Sequence, residues 1–234
     1  MAAARRTPGA PQIGRLIKRM FDADLRAVHR VRATPGAFQP WPQTGEDRYP
    51  QLFDALAQRL APLPAPRILS FGCSTGEEVR ALRRRLPHAR ITGIDINPRA
   101  IAKARAADDH PLSGYRHAAA PDPADRFDAV LALAVLRHGD LEAFQPDDCS
   151  AIMPFARFAE GVAMLDACLA DGGWLAVFNA HFRFCDTPLA ARYAADPFRM
   201  TDANTPPDVI WGADNRRIHG QPYAKVLFRK LPPS

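Results

Sequence analysis

The chain has 234 residues, a formal net charge of +6 and 47% hydrophobic residues, which suits one globular α/β domain with an appendage rather than a disordered chain. It contains no apolar run of bilayer-spanning length, and its first residues lack the apolar core of a secretion signal, so we expect a cytoplasmic protein without a membrane span. The four cysteines are widely separated and have no histidine at metal-ligand spacing, which argues against a disulfide framework and against a bound metal.

The positive charge is concentrated in the first 35 residues, where eight arginines and lysines outnumber two aspartates and account for the whole excess. Apolar residues recur at helical spacing over residues 13–31, which predicts an amphipathic helix with a basic face. Such a face suits an acidic partner: a phosphate-bearing substrate, an acidic carrier protein, RNA or an anionic membrane. The alternative is a helix docked on the rest of the chain with its arginines in water.

Residues 34–50 combine frequent proline and glycine with Phe38, Trp41 and Tyr49, which predicts an ordered loop. Residues 52–60 then predict a helix, which a cluster of three prolines at residues 62–66 ends. We therefore expect an N-terminal helical extension over residues 1–62 and one α/β domain over residues 63–234.

The next stretch combines a strand, a turn and a helix. A short apolar run at residues 68–71 predicts a strand buried on both faces, and apolar residues from Val79 to Leu86 recur at helical spacing. Gly72 and Gly76 lie in the turn between them, so a backbone without side chains can approach a ligand at the N-terminus of the helix. The pattern predicts a nucleotide-type cradle.

A second apolar strand over residues 90–97 has Asp95 at its end, about 20 residues after the glycine turn. An acid in this position is placed to accept hydrogen bonds from a ribose diol. The turn and the acid together therefore predict a nucleoside-containing ligand.

The segments Phe-Gly-Cys-Ser-Thr-Gly-Glu-Glu (residues 71–78) and Gly-Ile-Asp-Ile-Asn-Pro (residues 93–98) resemble motif I and the following acidic motif of the class I S-adenosylmethionine-dependent methyltransferases. The Cys-Ser-Thr-Gly-Glu-Glu core is also similar to that of the chemotaxis-receptor glutamate methyltransferases. The resemblance covers about residues 67–181 and departs from the family at Ser70 and Ser74, where the family has an acid and a glycine. Glu77 and Glu78 are candidates to replace that acid, which contacts the amino group of the methyl donor.

This resemblance implies S-adenosylmethionine (S-adenosyl-L-methionine) as the cofactor. The residues that it assigns to the donor are Gly72, Cys73, Ser74, Gly76, Glu77, Asp95, Ile96, Asn97 and Ala134. In the family the segment before the first strand often covers the active site, which makes Trp41 and Tyr49 candidate substrate contacts. The alternative is that both rings only pin their loop to the core.

Farther along, residues 115–118 weakly predict a third strand, and the continuous apolar run at residues 127–136 strongly predicts a fourth. His138 follows at the open end of the sheet, where an imidazole can take a proton from the substrate's nucleophile; a helix-capping role is the alternative. Residues 141–152 are longer than most α/β connections, which predicts a substrate-covering insertion before a helix at residues 153–170.

The pair Gly172-Gly173 predicts the end of that helix, and residues 175–178 predict a fifth strand. Asn179, His181 and Arg183 follow at the same open edge, so His181 joins His138 as a catalytic candidate and the other two are substrate candidates. Residues 186–204 predict mixed helix and loop. The last two strands are expected at residues 209–211 and 223–228, the final one antiparallel through a hairpin near Asn215 or Gly220.

Alternating strands and helices predict a doubly wound, mostly parallel seven-stranded sheet of the Rossmann-like methyltransferase type. The favoured function is S-adenosylmethionine-dependent O- or N-methyl transfer to a small-molecule or carrier-bound substrate, with no nucleic-acid signature. The alternatives are an NAD(P)-dependent oxidoreductase and a non-catalytic ligand- or partner-binding protein with the same fold.

Overall fold

A computed structural model describes residue 38 and residues 44–200, 209–219 and 224–233. The predicted amphipathic helix at residues 13–31 and the candidate Trp41 lie outside the described residues. Within the described ranges, no helix combines the length and the apolar character needed to cross a bilayer. The cytoplasmic location stays a prediction.

Helices and strands alternate through the described chain, as the apolar patterns predict. The helices are α1 (Pro50–Leu60), α2 (Glu77–Arg85), α3 (Pro98–Ala107), α4 (Gly139–Phe144) and α5 (Phe155–Cys168). The strands are β1 (Arg67–Phe71), β2 (Arg90–Asp95), β3 (Ser113–His117), β4 (Phe127–Leu133), β5 (Leu169–Phe178), β6 (Tyr193–Ala195), β7 (Ile210–Trp211), β8 (Arg217–Ile218) and β9 (Leu227–Lys230).

The main sheet contains seven strands in the order β3-β2-β1-β4-β5-β9-β6. β1 pairs in parallel with β2 and with β4, and β4 pairs in parallel with β5. β9 is antiparallel to both β5 and β6. The predicted mostly parallel seven-stranded sheet is therefore confirmed. The carboxyl ends of β1, β2, β4 and β5 lie together at one edge, which we call the carboxyl edge.

Two apolar layers cover the two faces of the sheet. Successive residues of a strand point to opposite faces, so Ile68 lies in the layer with α1, α2 and α3, whereas Leu69 lies in the layer with α5. Both side chains are fully buried, and full burial of an aliphatic side chain contributes about 1.5–3 kcal/mol. This double covering explains why β1 and β4 are continuous apolar runs in the sequence.

The Gly-Gly pair does not end a helix, contrary to the sequence-based prediction. α5 ends at Cys168 and β5 begins at once, with its ladder to β4 shifting register between Phe127 and Ala129. Gly172, at a φ of 76°, lies inside this irregular start of the strand.

The predicted arrangement of the last strands is partly wrong. The hairpin at Asn215 exists, but it joins β7 to β8 in a separate two-stranded sheet. Trp211 explains the separation: its fully buried indole donates to the carbonyl oxygen of Pro146 at 2.9 Å, which packs this hairpin under the loop after α4. β6 forms the edge of the main sheet, within a segment for which mixed helix and loop were expected.

Candidate active site

The turn between β1 and α2, residues 72–76, lies at the carboxyl edge and is called the donor loop. The backbone N–H of Gly72 donates to the carbonyl oxygen of Ile94 in β2 at 2.8 Å, which extends the pairing of β1 and β2 into the loop. Gly72, Ser74 and Gly76 have positive φ angles of 75°, 49° and 88°. This backbone turns its amides toward the start of α2 instead of continuing the strand.

Close packing fixes two residue types of this loop. A Cβ atom on Gly72 would lie 2.5 Å from Cγ2 of Val135, so packing as well as backbone angle requires glycine there. The Cys73 sulfur fills the space beside Gly93, where an added Cβ would lie 2.8 Å from it. Burial raises the pKa of the Cys73 thiol, which makes it a core side chain rather than a reactive group.

Asp95 joins the donor loop to the loop after β2. Its Oδ2 accepts from the backbone N–H of Ser74 at 2.9 Å, and its Oδ1 accepts from the backbone N–H of Asn97 at 2.7 Å. Burial raises the pKa of Asp95, and these two backbone donors oppose that rise. Each carboxylate oxygen keeps a further lone pair, so the group can still accept from a diol.

The residues of this region fit the ribose and amino-acid ends of S-adenosylmethionine. The Ser74 hydroxyl is buried and has no hydrogen-bond partner among the described residues, which is unusual for a buried polar atom and suits contact with a polar ligand. Asn97 stabilises the next loop from the other side, because its Oδ1 caps α3 by accepting from the N–H groups of Arg99 and Ala100.

A carboxylate from α2 lies beside Ser70, the position at which the resembled family has an acid. The Ser70 hydroxyl donates to Oε1 of Glu78 at 2.7 Å, which holds that carboxylate beside the end of β1. Burial raises the pKa of Glu78 to about 7, opposed by the Ser70 hydrogen bond and by Arg48. Glu77 instead accepts from the Thr75 hydroxyl within the turn. Of the two candidates, Glu78 is the one positioned to replace the acid.

Polar side chains from three separate segments meet beyond β4 and β5. Asn179, directly after β5, donates from Nδ2 to the Tyr49 hydroxyl at 3.0 Å, and its Oδ1 accepts from Arg137. Arg137 also pairs with Glu142 of α4. Burial raises the pKa of Tyr49, and the hydrogen bond with Asn179 opposes that rise.

Comparisons with known proteins agree with this geometry. Residues 69–175 match the family model described as a methyltransferase domain. The chain is 39% identical over 132 residues to the biotin biosynthesis bifunctional protein BioCD of Bordetella avium (strain 197N), which covers 53% of this chain and 24% of that protein. It is 37% identical over 93 residues to the trans-aconitate 2-methyltransferase of Streptomyces avermitilis, which covers 36% of this chain and 35% of that protein.

The segment that matches the methyltransferase-domain model is residues 69–175. The match runs from β1 into β5 and so contains both the donor loop and Asp95. Among solved structures, the crystal structure of the N-methyltransferase NodS from Bradyrhizobium japonicum WM9 in complex with S-adenosyl-L-homocysteine has a TM-score of 0.49 and 19% identity, covering 88% of this chain and 98% of that one. The chain spans 24–35% of the length of the two curated relatives named above.

His138, the first candidate base, caps a helix. Its Nδ1 accepts from the backbone N–H of Asp140 at 3.2 Å at the start of α4. This contact requires an unprotonated Nδ1, so the proton of the neutral ring lies on Nε2. The geometry favours the capping alternative, and a catalytic role of His138 stays a prediction.

The second candidate base, His181, is completely buried. Its Nε2 lies 3.0 Å from the carbonyl oxygen of His138 and its Nδ1 lies 3.3 Å from that of Val209. Burial lowers the pKa of His181 to about 4, so the ring is neutral near neutral pH. A neutral ring donates to only one of these two carbonyl oxygens, and because the side chain is completely buried the geometry favours a place in the core over proton transfer with a substrate.

The remaining candidates follow three different strands of the main sheet, β2, β4 and β5. Ala134, with a φ of 57°, donates its N–H to the carbonyl oxygen of Phe178 at 3.0 Å and so joins the ends of β4 and β5. The carbonyl oxygen of Ile96 lies 3.0 Å from Nε2 of His117. Arg183 pairs with Asp186 at 2.8 Å in the following turn.

Sequence reasoning missed Arg137 and the pairing role of Glu142. Arg137 directly precedes His138, but a single arginine after an apolar strand is the usual start of a solvated loop. The expected insertion at residues 141–152 contains most of α4, and the partner that buries Arg137 comes from it. Only the fold shows that these charges lie together.

Proposed function

We propose that the chain is an S-adenosylmethionine-dependent methyltransferase that acts on an oxygen or nitrogen atom of a small-molecule or carrier-bound substrate. One observation carries the proposal: the Asp95 carboxylate binds the backbone of both Ser74 and Asn97, which fixes two loops around the position of a nucleoside. The name of one relative, trans-aconitate 2-methyltransferase, supports a small organic acid among the candidate substrates.

In this proposal the residues act by positioning. The bound donor supplies a methyl group that is already activated, and orientation of two reactants lowers a barrier by up to about 7–11 kcal/mol. Asp95 and the Ser74 hydroxyl bind the ribose of the donor. The ionised Glu78 carboxylate accepts hydrogen bonds from the ammonium group of the donor. Asn179 and Tyr49, joined at 3.0 Å, hold the acceptor side.

The setting of the reaction belongs to the same proposal. All four cysteines are free thiols, three of them buried, which suits the reducing cytoplasm. The basic residues 1–35 suit an acidic partner such as a carrier protein. Removal of residues 1–33 tests that role: a partner-binding arm leaves donor affinity unchanged, whereas a lid over the donor lowers it.

A thermal-shift panel tests the proposed function. A ligand that binds only the folded state raises the melting temperature. We expect S-adenosylmethionine and S-adenosylhomocysteine to raise it, and NAD and NADP at equal concentration to leave it unchanged. A higher melting temperature with NAD or NADP alone would indicate an oxidoreductase. An unchanged melting temperature with all four ligands would contradict a nucleoside-binding site.

A further inference from the structure

The segment just before α1, residues 46–49, is tied to α2 by charged side chains, and we call it the strap. Arg85 binds the Asp47 carboxylate through two parallel hydrogen bonds, at 2.7 and 3.0 Å. Such a two-bond pair adds geometric specificity to the attraction between the charges. Glu46 accepts from Arg80 at 3.0 Å. Arginines of one helix therefore hold two consecutive carboxylates of the strap.

Another arginine of α2, Arg83, contacts a different part of the fold. It donates to the carbonyl oxygens of Ala89 at 2.6 Å and of Leu112 at 2.9 Å, which directly precede β2 and β3. These contacts join α2 to the amino ends of two strands. The pairs of Arg80 and Arg85 with the strap are thus separate from the contacts that join α2 to the sheet.

The turn of the strap lies at Asp47. This residue has a φ of 50°, in the left-handed region that few residues other than glycine, asparagine and aspartate adopt. The chain leads from here into Tyr49 and the start of α1. Because Arg85 binds both oxygens of the Asp47 carboxylate, the ion pair fixes the point at which the strap turns.

Arg80 joins the strap to the donor loop. Its Nη1 donates to the carbonyl oxygen of Thr75 at 3.0 Å, and its Nη2 donates to Glu46 at 3.0 Å. Thr75 lies inside the donor loop, directly after Ser74, whose backbone N–H binds Asp95. One guanidinium thus contacts both segments, so a displacement of Glu46 also affects the donor loop.

The other end of the strap reaches the acceptor side. Tyr49 is buried, and its hydroxyl accepts from Nδ2 of Asn179 at 3.0 Å. Arg48, one residue earlier, lies close enough to Glu78 to oppose the rise of the pKa of that carboxyl. The strap therefore has contacts with both sides of the site and lies near Glu78.

We propose that Glu46 and Asp47 are positioning residues for the methyl donor: their ion pairs with Arg80 and Arg85 hold the strap against the donor loop and so raise the affinity for S-adenosylmethionine. The inference rests on the proposed function, which assigns the donor loop to this ligand. Each carboxylate acts through an arginine of α2 and does not itself touch the donor. Because the Glu46 and Asp47 side chains are 60% and 36% exposed, salt screens their ion pairs, and donor affinity depends on ionic strength.

Calorimetric titration of S-adenosylhomocysteine at low salt and at about 1 M NaCl, where the screening length is about 3 Å, tests this coupling. The double variant Glu46→Gln/Asp47→Asn removes two charges and keeps the size of both side chains, and asparagine also accepts the left-handed backbone. At low salt this variant binds about tenfold more weakly than the native protein, a change of about 1.4 kcal/mol. At high salt the difference between the two proteins disappears, which a purely structural role of the carboxylates would not produce.

Asp54→Asn is the matched control, because Asp54 pairs with the same Arg85 but lies on α1, outside the strap. This control binds like the native protein at both salt concentrations. Native affinity in the double variant, or an equal loss in Asp54→Asn, refutes the role of the strap and leaves the proposed function standing.

The native protein separates this inference from the proposed function, which fails if S-adenosylhomocysteine does not bind at all. Glu46→Gln alone decides the matter if the double variant does not fold, since Glu46 is exposed. This single variant binds more weakly than the native protein at low salt and equally at high salt. The same affinity as the native protein at low salt would overturn the inference.

Discussion

The donor side and the acceptor side of the site are built in different ways. On the donor side, backbone groups carry the contacts: the N–H of Gly72 binds Ile94, and Asp95 binds the N–H groups of Ser74 and Asn97. On the acceptor side, side chains bind side chains across 130 residues between Tyr49 and Asn179 and 42 residues between Arg137 and Asn179. A site built from backbone is visible in a local motif, whereas a site built from distant side chains is visible only after folding.

The largest expected effect is a loss of stability on substitution of Gly72, in the donor loop. In Gly72→Ala the added methyl group meets Val135 at 2.5 Å and the residue must keep a φ of 75°. We expect the free energy of unfolding to fall by about 2–4 kcal/mol, measured by urea denaturation. Gly114→Ala, with no atom within 4 Å of the added methyl, is the control and should be neutral or slightly stabilising. Equal losses in both variants would contradict the packing argument.

The pH dependence of stability tests the raised pKa of the Glu78 carboxylate. Its pKa rises from 4.5 to about 7 in the folded protein, so the folded state binds the proton more tightly than the unfolded state. Its contribution to stability is complete below 4.5 and is lost as pH rises through about 7. Thermal melts should therefore show Glu78→Gln gaining stability relative to the native protein across that range.

Donor affinity should respond to Glu78 with the opposite sign. In the proposed function the ionised carboxylate binds the ammonium group of S-adenosylmethionine, so the calorimetric affinity of the native protein for this donor should rise with pH through about 7. Glu78→Gln should lose this dependence, whereas the exposed Glu160→Gln should keep it. The same pH dependence in Glu78→Gln would exclude Glu78 from the donor site.

The smallest expected effect is at His138. Loss of the cap in His138→Ala should cost about 0.5–2 kcal/mol of unfolding free energy. His138→Asn supplies another capping oxygen and should stay close to the native value. Urea denaturation of the two variants tests whether His138 only caps α4. Equal destabilisation of His138→Ala and His138→Asn would show that the imidazole does more than cap this helix.

The sequence predicts the centre of the fold better than its margins. Strands such as β1 and β4 are covered on both faces, so their apolar runs are unmistakable. β6 has three residues and owes its place to tertiary contacts: the Tyr193 hydroxyl donates to Asp166 at 2.6 Å. Such a contact leaves no local pattern. β7 and β8, with two residues each, are equally short.

The candidate site shows the same division. The sequence predicts Gly72 and Asp95 as site residues because a glycine turn followed at a fixed separation by an acid is a local motif of nucleoside-binding sites. Arg137 was not found because its burial depends on Asn179 and Glu142, which come from other segments. His138 and His181 were chosen for their position at the strand ends, and their contacts with the backbone became visible only in the structure.

Calorimetric titration of S-adenosylmethionine into the native protein, Asp95→Ala and the exposed control Asp109→Ala tests the central claim most directly. Loss of the Asp95 carboxylate removes the link between the two loops and, in the proposed function, the contacts of Asp95 with the ligand. We expect Asp95→Ala to bind at least about tenfold more weakly, equal to about 1.4 kcal/mol, and Asp109→Ala to bind like the native protein. Native affinity in a folded Asp95→Ala variant would contradict the account.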